Sequence, residues 1–180
     1  PRFILFMVFP LLIILAYGLT QVNKFIKNRL LLVAYCLLLV SYPAYISFQL
    51  LFNPLSAPIP KADRLQFMDD WPSGYGIKEI NEFIRSEAAK GPLFFATEGT
   101  FGLTPYAQMI YLQGTPNLQI EGFWPLAQNM DKIIAMAKTK TTYVLFKDTQ
   151  EPQSEWPLQL VLQYRKGKGE VFSKLFKVLP

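Results

Sequence analysis

Charged side chains are missing from two long apolar stretches near the start of the chain, Phe3 to Asn23 and Leu30 to Phe52. A helix needs about 20 such residues to cross the roughly 30 Å hydrocarbon core of a bilayer. Two transmembrane helices are therefore expected, at about 3–22 and 30–52. Pro10 and Pro43 interrupt them, which membrane helices tolerate because neighbouring groups re-satisfy the freed backbone. A cleaved signal peptide is the competing reading of the first stretch. Arg2 alone is a thin basic start, and a small-x-small cleavage site is not evident.

Beyond Phe52 the pattern changes. Residues 53–76 carry Pro54, Pro58, Pro60 and Pro72 among scattered aromatics and read as an ordered, irregular connector along a membrane surface. From Ile77, apolar residues recur at Ile80, Phe83, Ile84 and Ala88, one helical face closed by Gly91-Pro92. "LFFATE" (93–98) predicts a buried strand. Thr104 as N-cap, Pro105 at the first helical position and Gly114 past the end frame a second helix. "NLQIE" (117–121) predicts another strand, Leu126, Met130, Ile133, Ile134 and Ala137 a third helix, and "TTYVLFKD" (141–148) a third strand.

Strands alternating with helices imply crossovers and parallel pairing. "LQLVLQYR" and "EVFSKLFKV" around "KGKG" imply a terminal antiparallel hairpin. The expected fold is two transmembrane α-helices followed by a small α/β domain, with three mainly parallel strands, crossover helices and a C-terminal antiparallel hairpin. Residues 1–52 form the membrane part with a loop at 23–29, residues 53–76 the connector, and residues 77–180 the α/β domain.

Charge sharpens this division. The net +5 and pI near 9.3 would suit a nucleic-acid binder, but Arg2, Lys24, Lys27 and Arg29 supply +4 within residues 1–52, where no acid occurs. The basic excess is a membrane-topology signal, and no nucleic-acid partner is expected. "NKFIKNR" (23–29) belongs in the cytoplasm by the positive-inside rule, which puts residues 53–180 outside it. Cys36 has no partner for a disulfide, and the chain contains no His. Ser-His-Asp and Cys-His catalytic sets are excluded within it. The chain starts at Pro1 in an apolar run, so it is expected to be a piece of a longer protein, with more helices upstream.

The three parallel-strand candidates end alike, at Glu98, Glu121 and Asp148, and the first two continue through Gly99 and Gly122 to Phe101, Phe123 and Trp124. Ligands of open α/β sheets bind beyond the carboxyl ends of the strands. Converging carboxylates and aromatic rings there suit sugar hydroxyls and would repel phosphate. The competing reading is that these are ordinary strand-end acids with turn glycines. A second candidate set is Asp69, Asp70, Trp71 and Tyr75, where adjacent acids in a surface loop offer a divalent-cation site or a general base, or simply pair with Arg64. Gly99-x-x-Gly102 lacks the spacing of a dinucleotide fingerprint.

The closing apolar helices, "DRLQFMDDWPSGYGIKEINEF" (63–83), "ATEGTFGLTP" (96–105), "IEGFWP" (120–125) and the terminal strand pair together resemble the C-terminal end of polytopic bacterial glycosyltransferases of the GT-C class. These are similar to dolichyl-phosphate-mannose protein mannosyltransferases and lipid A aminoarabinose transferases. The resemblance implies a multi-pass enzyme of the cell membrane that moves a sugar from a polyprenyl-phosphate donor to an extracytoplasmic acceptor. The catalytic acid of that class sits in the first outer loop, which this chain does not match, so no catalytic residue is carried over. No cofactor is expected in this chain, and a divalent cation remains open for the full-length enzyme. The alternative is a membrane-anchored extracytoplasmic sensor or binding module without catalysis.

Overall fold

The computed structural model describes residues 5–180, and the chain divides into two compact units, residues 1–63 and 64–180. In the first, α1 (Leu5–Phe25) and α2 (Arg29–Phe52) are continuous helices that contain Pro10 and Pro43 without ending there. Asn28 caps α2, its side-chain oxygen accepting the Leu30 N–H at 2.9 Å. Apolar side chains cover α2 on all sides and none is buried, a surface that water does not tolerate and lipid does.

Among the described residues, one helix, Arg29–Phe52, is long and apolar enough to cross a membrane. Of the two spans expected, the described residues thus show one: within α1 the apolar run among them is Met7–Val22, and the expected start at Phe3 lies outside the described residues. The connector is also more regular than expected. It forms a 3₁₀ turn at Pro54–Ser56, a single helical turn α3 (Lys61–Arg64) and a π-turn at Leu65–Asp69.

The second unit is an α/β fold around a mixed five-stranded sheet of order β2-β1-β3-β5-β4. Its strands are β1 (Leu93–Glu98), β2 (Leu118–Phe123), β3 (Thr141–Phe146), β4 (Leu158–Arg165) and β5 (Phe172–Val178). β1 pairs in parallel with β2 and β3, while β5 runs antiparallel to β3 and β4. The helices are α4 (Ile77–Ala88), α5 (Leu103–Tyr111) and α6 (Met130–Ala137), the last preceded by a 3₁₀ turn at Ala127–Asn129.

Strand β1 is buried along its whole length, because it is an interior strand covered on both faces, which is why it reads as a continuous apolar run. Leu93 and Phe95 pack with Ile77, Ile80 and Ile84 of α4 and with Tyr143 and Leu145. Phe94 and Ala96 pack on the other face with Leu126, Met130 and Ile133. The two-residue alternation of a strand thus splits one sequence run between two cores.

Thr104 has extended backbone angles (φ −110°, ψ 125°), so regular α5 geometry begins after it. The expected side-chain cap is not made. The Thr104 hydroxyl donates instead to the Glu98 carbonyl at 2.6 Å, tying the start of α5 to the end of β1. Gly114 lies past the end of α5 with φ +76°, as its left-handed role requires.

Candidate functional site

A cleft of about 290 Å³ opens beyond the carboxyl ends of β1 and β3, lined by Trp71, Gly99, Thr100, Phe101, Trp124, Lys147 and Thr149. Its place follows the general rule for α/β sheets. Four separate segments build it: the connector supplies Trp71, the β1–α5 loop Gly99 to Phe101, the residue after β2 Trp124, and the stretch after β3 Lys147 and Thr149. The Lys147 ammonium lies 4.8 Å from the centroid of the Trp71 ring and 5.7 Å from that of Trp124, within cation–π range of both.

Glycine makes this approach possible. A Cβ on Gly99 (φ +109°) would stand 2.9 Å from the Thr104 carbonyl and 3.1 Å from Lys147 Nζ. Burial pushes the Lys147 amine below the usual lysine range, with the nearby Glu98 charge pulling it back up. Among the described residues, no carboxylate forms an ion pair with it.

Glu98 does not project into the groove as the strand alignment implies. It is fully buried, and its carboxylate accepts the Lys147 N–H at 2.7 Å and the Thr149 hydroxyl. It braces the floor of the cleft from beneath. Glu121 is likewise corrected: β2 runs on to Phe123, so Glu121 lies inside the strand and pairs with Lys132 of α6. Phe123 belongs to the core, 4% exposed and edge-on to Phe94, with Lys132 over its ring. Asp148 accepts the Phe172 N–H and an ion pair from Lys174, which fastens β5.

Carboxylates therefore do not converge on the cleft, and the one charged side chain lining it is a cation. The expectation that phosphate would be repelled there loses its basis. Trp71, Phe101 and Trp124 are the anticipated residues that the fold brings together.

The aspartate pair is spent on structure. Asp69 takes a two-nitrogen contact from Arg64 and accepts the Lys168 N–H at 2.9 Å. The Lys168 backbone bond, then the Arg64 guanidinium, outweigh burial and hold its carboxyl below the usual range. Asp70 accepts the N–H of Trp71 at 2.7 Å. Tyr75 lies apart from the cleft, in a shallow groove with Phe67 and Gly76, and its carbonyl receives the Ser173 hydroxyl. Among the described residues, no three His, Cys, Asp or Glu side chains gather as a metal site would require.

Lys166, in the β4–β5 turn, gives no sign in the sequence of what it does. "KGKG" reads as a solvated hairpin, yet Lys166 is 1% exposed and its ammonium donates to the Trp71 carbonyl at 2.8 Å and the Lys147 carbonyl at 3.0 Å. Gly167 and Gly169 let this turn close on Asp69, since a Cβ on Gly169 would stand 1.9 Å from the Asp69 carbonyl. The buried Lys166 thus ties two walls of the cleft together.

Burial pushes the Lys166 amine down to about 8, with Asp148 and Glu98 opposing. An unfolded lysine titrates near 10.4. Between these values the unfolded chain binds more protons, so stability is expected to rise as pH climbs from about 8 toward 10. Unfolding midpoints of the detergent-solubilised chain across that window check this. Lys166→Met should flatten the slope, and an equal slope in that variant would reassign it to other groups.

Comparison of the chain with protein-family models, with curated proteins and with solved structures finds no match.

Proposed function

We propose that the chain is anchored in a membrane through α2 and that its α/β domain recognises a carbohydrate carrying a negative group. In this reading it is the extracytoplasmic C-terminal part of a multi-pass glycosyltransferase that draws sugar from a polyprenyl-phosphate donor, with helices upstream completing the membrane domain. The observation that carries the proposal is the position of Lys147 between the Trp71 and Trp124 rings at the strand ends. Indole faces suit the C–H face of a sugar ring, and the ammonium suits a carboxylate or phosphate attached to it. Added support comes from where the family-like segments go. "DRLQFMDDWPSGYG", "ATEGTFGLTP" and "IEGFWP" each contribute a wall of this one cleft.

The domain binds rather than catalyses in this proposal, because no carboxylate lines the cleft and catalysis is left to the upstream region. The same observation favours the second reading, an anchored binding module with no enzymatic partner segment. Activity of the full-length protein separates the two. A cleft variant that lowers sugar transfer supports the enzyme, and transfer that is absent altogether supports the module.

Binding to the cleft is measurable by tryptophan fluorescence of the detergent-solubilised chain, titrated with a sugar 1-phosphate, a glucuronide and a neutral methyl glycoside. The two anionic ligands should bind more tightly than the neutral one. Trp124→Ala should weaken them about tenfold or more, as expected for an aromatic side chain that a bound ligand would cover, and Lys147→Met should erase the preference for charge. Equal affinity for all three ligands in the unaltered chain would reject the role given to Lys147.

A further inference from the structure

Helix α5 differs from its neighbours on the side that faces solvent. Its inner stripe, Pro105, Gln108 and Leu112 just beyond its end, is buried, as helix periodicity requires. The outer side of α4 carries Lys78, Glu79, Glu82 and Arg85, all exposed. The outer side of α5 instead presents Tyr106, Met109, Ile110 and Tyr111, with Ile110 72% and Tyr111 59% exposed. Phe101, two residues before the helix, is 77% exposed at the edge of the cleft. No charged residue occurs from Gly99 to Ile120. A water-facing helix normally carries charge on its outer face, and an apolar group of this size marks a contact surface.

Resting on the proposed membrane anchoring, we infer that this face of α5, with Phe101, docks on the surface of a lipid bilayer. Three observations select lipid as the occupant. The side chains are of the kind that collects at membrane interfaces, tyrosines beside large aliphatic groups. The charge is complementary to headgroup phosphates: Arg85 reaches the Tyr111 carbonyl at one end, Lys147 stands in the cleft beside Phe101 at the other, and no acid lies between Gly99 and Ile120. The tether is short. Residues 53–63 separate the membrane-length helix from the α/β unit, a reach of no more than about 40 Å even when fully extended.

Docking of this kind would hold the mouth of the cleft close to the lipid surface, where a membrane-borne anionic sugar would enter it.

Spin labels on the full chain, reconstituted in vesicles of zwitterionic and anionic lipid, test this. Cys36→Ser removes the native thiol, and single cysteines go at Tyr106, Ile110, Glu82 and Val40. Labels at 106 and 110 should be relaxed more by oxygen than by a water-soluble nickel chelate, with the ratio inverted at 82. Val40, on α2, reports the anchor itself and should favour oxygen. Ile110→Glu should invert the ratio at 106 while leaving the cleft's ligand affinity in detergent unchanged. A Val40 label in lipid with 106 and 110 exposed to nickel would overturn docking alone. Labels at 106 and 110 shielded from both reagents would overturn it too, showing the face covered by a second copy or other protein. A Val40 label exposed to nickel would remove the anchor and the inference together.

Discussion

Glu98→Ala is expected to destabilise the α/β unit by about 3 kcal/mol or more. The carboxylate is wholly buried and accepts both the Lys147 N–H and the Thr149 hydroxyl. Truncation leaves the Lys147 N–H without its partner, at roughly 1–3 kcal/mol, while the exposed Thr149 hydroxyl can turn to water. It also withdraws the negative charge that offsets the Lys147 ammonium and, after Asp148, that of Lys166, and weakening the compensation of a buried charge is costly. Glu98→Gln keeps the shape and should cost about 1–3 kcal/mol. Glu121→Gln is the comparison. Its pair with Lys132 is partly exposed, and such pairs contribute about 1 kcal/mol at most. Chemical denaturation of the detergent-solubilised chain, followed by tryptophan emission, measures all three. Unchanged stability in Glu98→Gln together with lost sugar binding would move Glu98 out of the floor and into the ligand site.

Gly122→Ala should be nearly as damaging for a purely steric reason. A Cβ at Gly122 would lie 2.2 Å from the Gly99 carbonyl oxygen and 2.9 Å from Pro105 Cγ. Relief requires the end of β2 to part from the β1–α5 loop, and overpacking of this kind costs about 1–3 kcal/mol or more. That loop carries Thr100 and Phe101, so ligand affinity should fall along with stability. Gly114→Ala provides the contrast. Its φ of +76° is unfavourable to a side chain, but no atom lies within 4 Å. A loss of about 1–2 kcal/mol is expected from the backbone alone, with ligand affinity kept. Equal, small effects at both positions would show that the loop yields without disturbing the cleft.

Much of the architecture was legible because it depends on short-range periodicity. The buried run at 93–98 appears as β1 with those bounds, and the Ile77, Ile80, Ile84 and Ala88 stripe became the inner face of α4. The terminal hairpin around "KGKG" is β4 and β5. The connector was harder, since prolines masked three short helical turns. Of the two apolar segments expected to span a membrane, one among the described residues, Arg29–Phe52, is long and apolar enough to do so.

The site was legible in position but not in sign. Period and composition were enough to point to the carboxyl ends of the parallel strands, where the cleft lies, and to nominate Trp71, Phe101 and Trp124, because strand ends and aromatic residues are local features. Which charge lines the cleft was decided by contacts between residues far apart in the chain. Glu98 meets Lys147 and Thr149 across separations of 49 and 51 residues, and Lys166 reaches Trp71 across 95. Those encounters follow from sheet register and from how a glycine turn closes on Asp69. A carboxylate that finds two donors beneath the sheet edge stays buried, and the lysine beside it is left facing the cleft. The sequence by itself determined the elements and the edge; only the tertiary structure made that edge cationic, because burying a charge is favourable only where its partners have already been assembled.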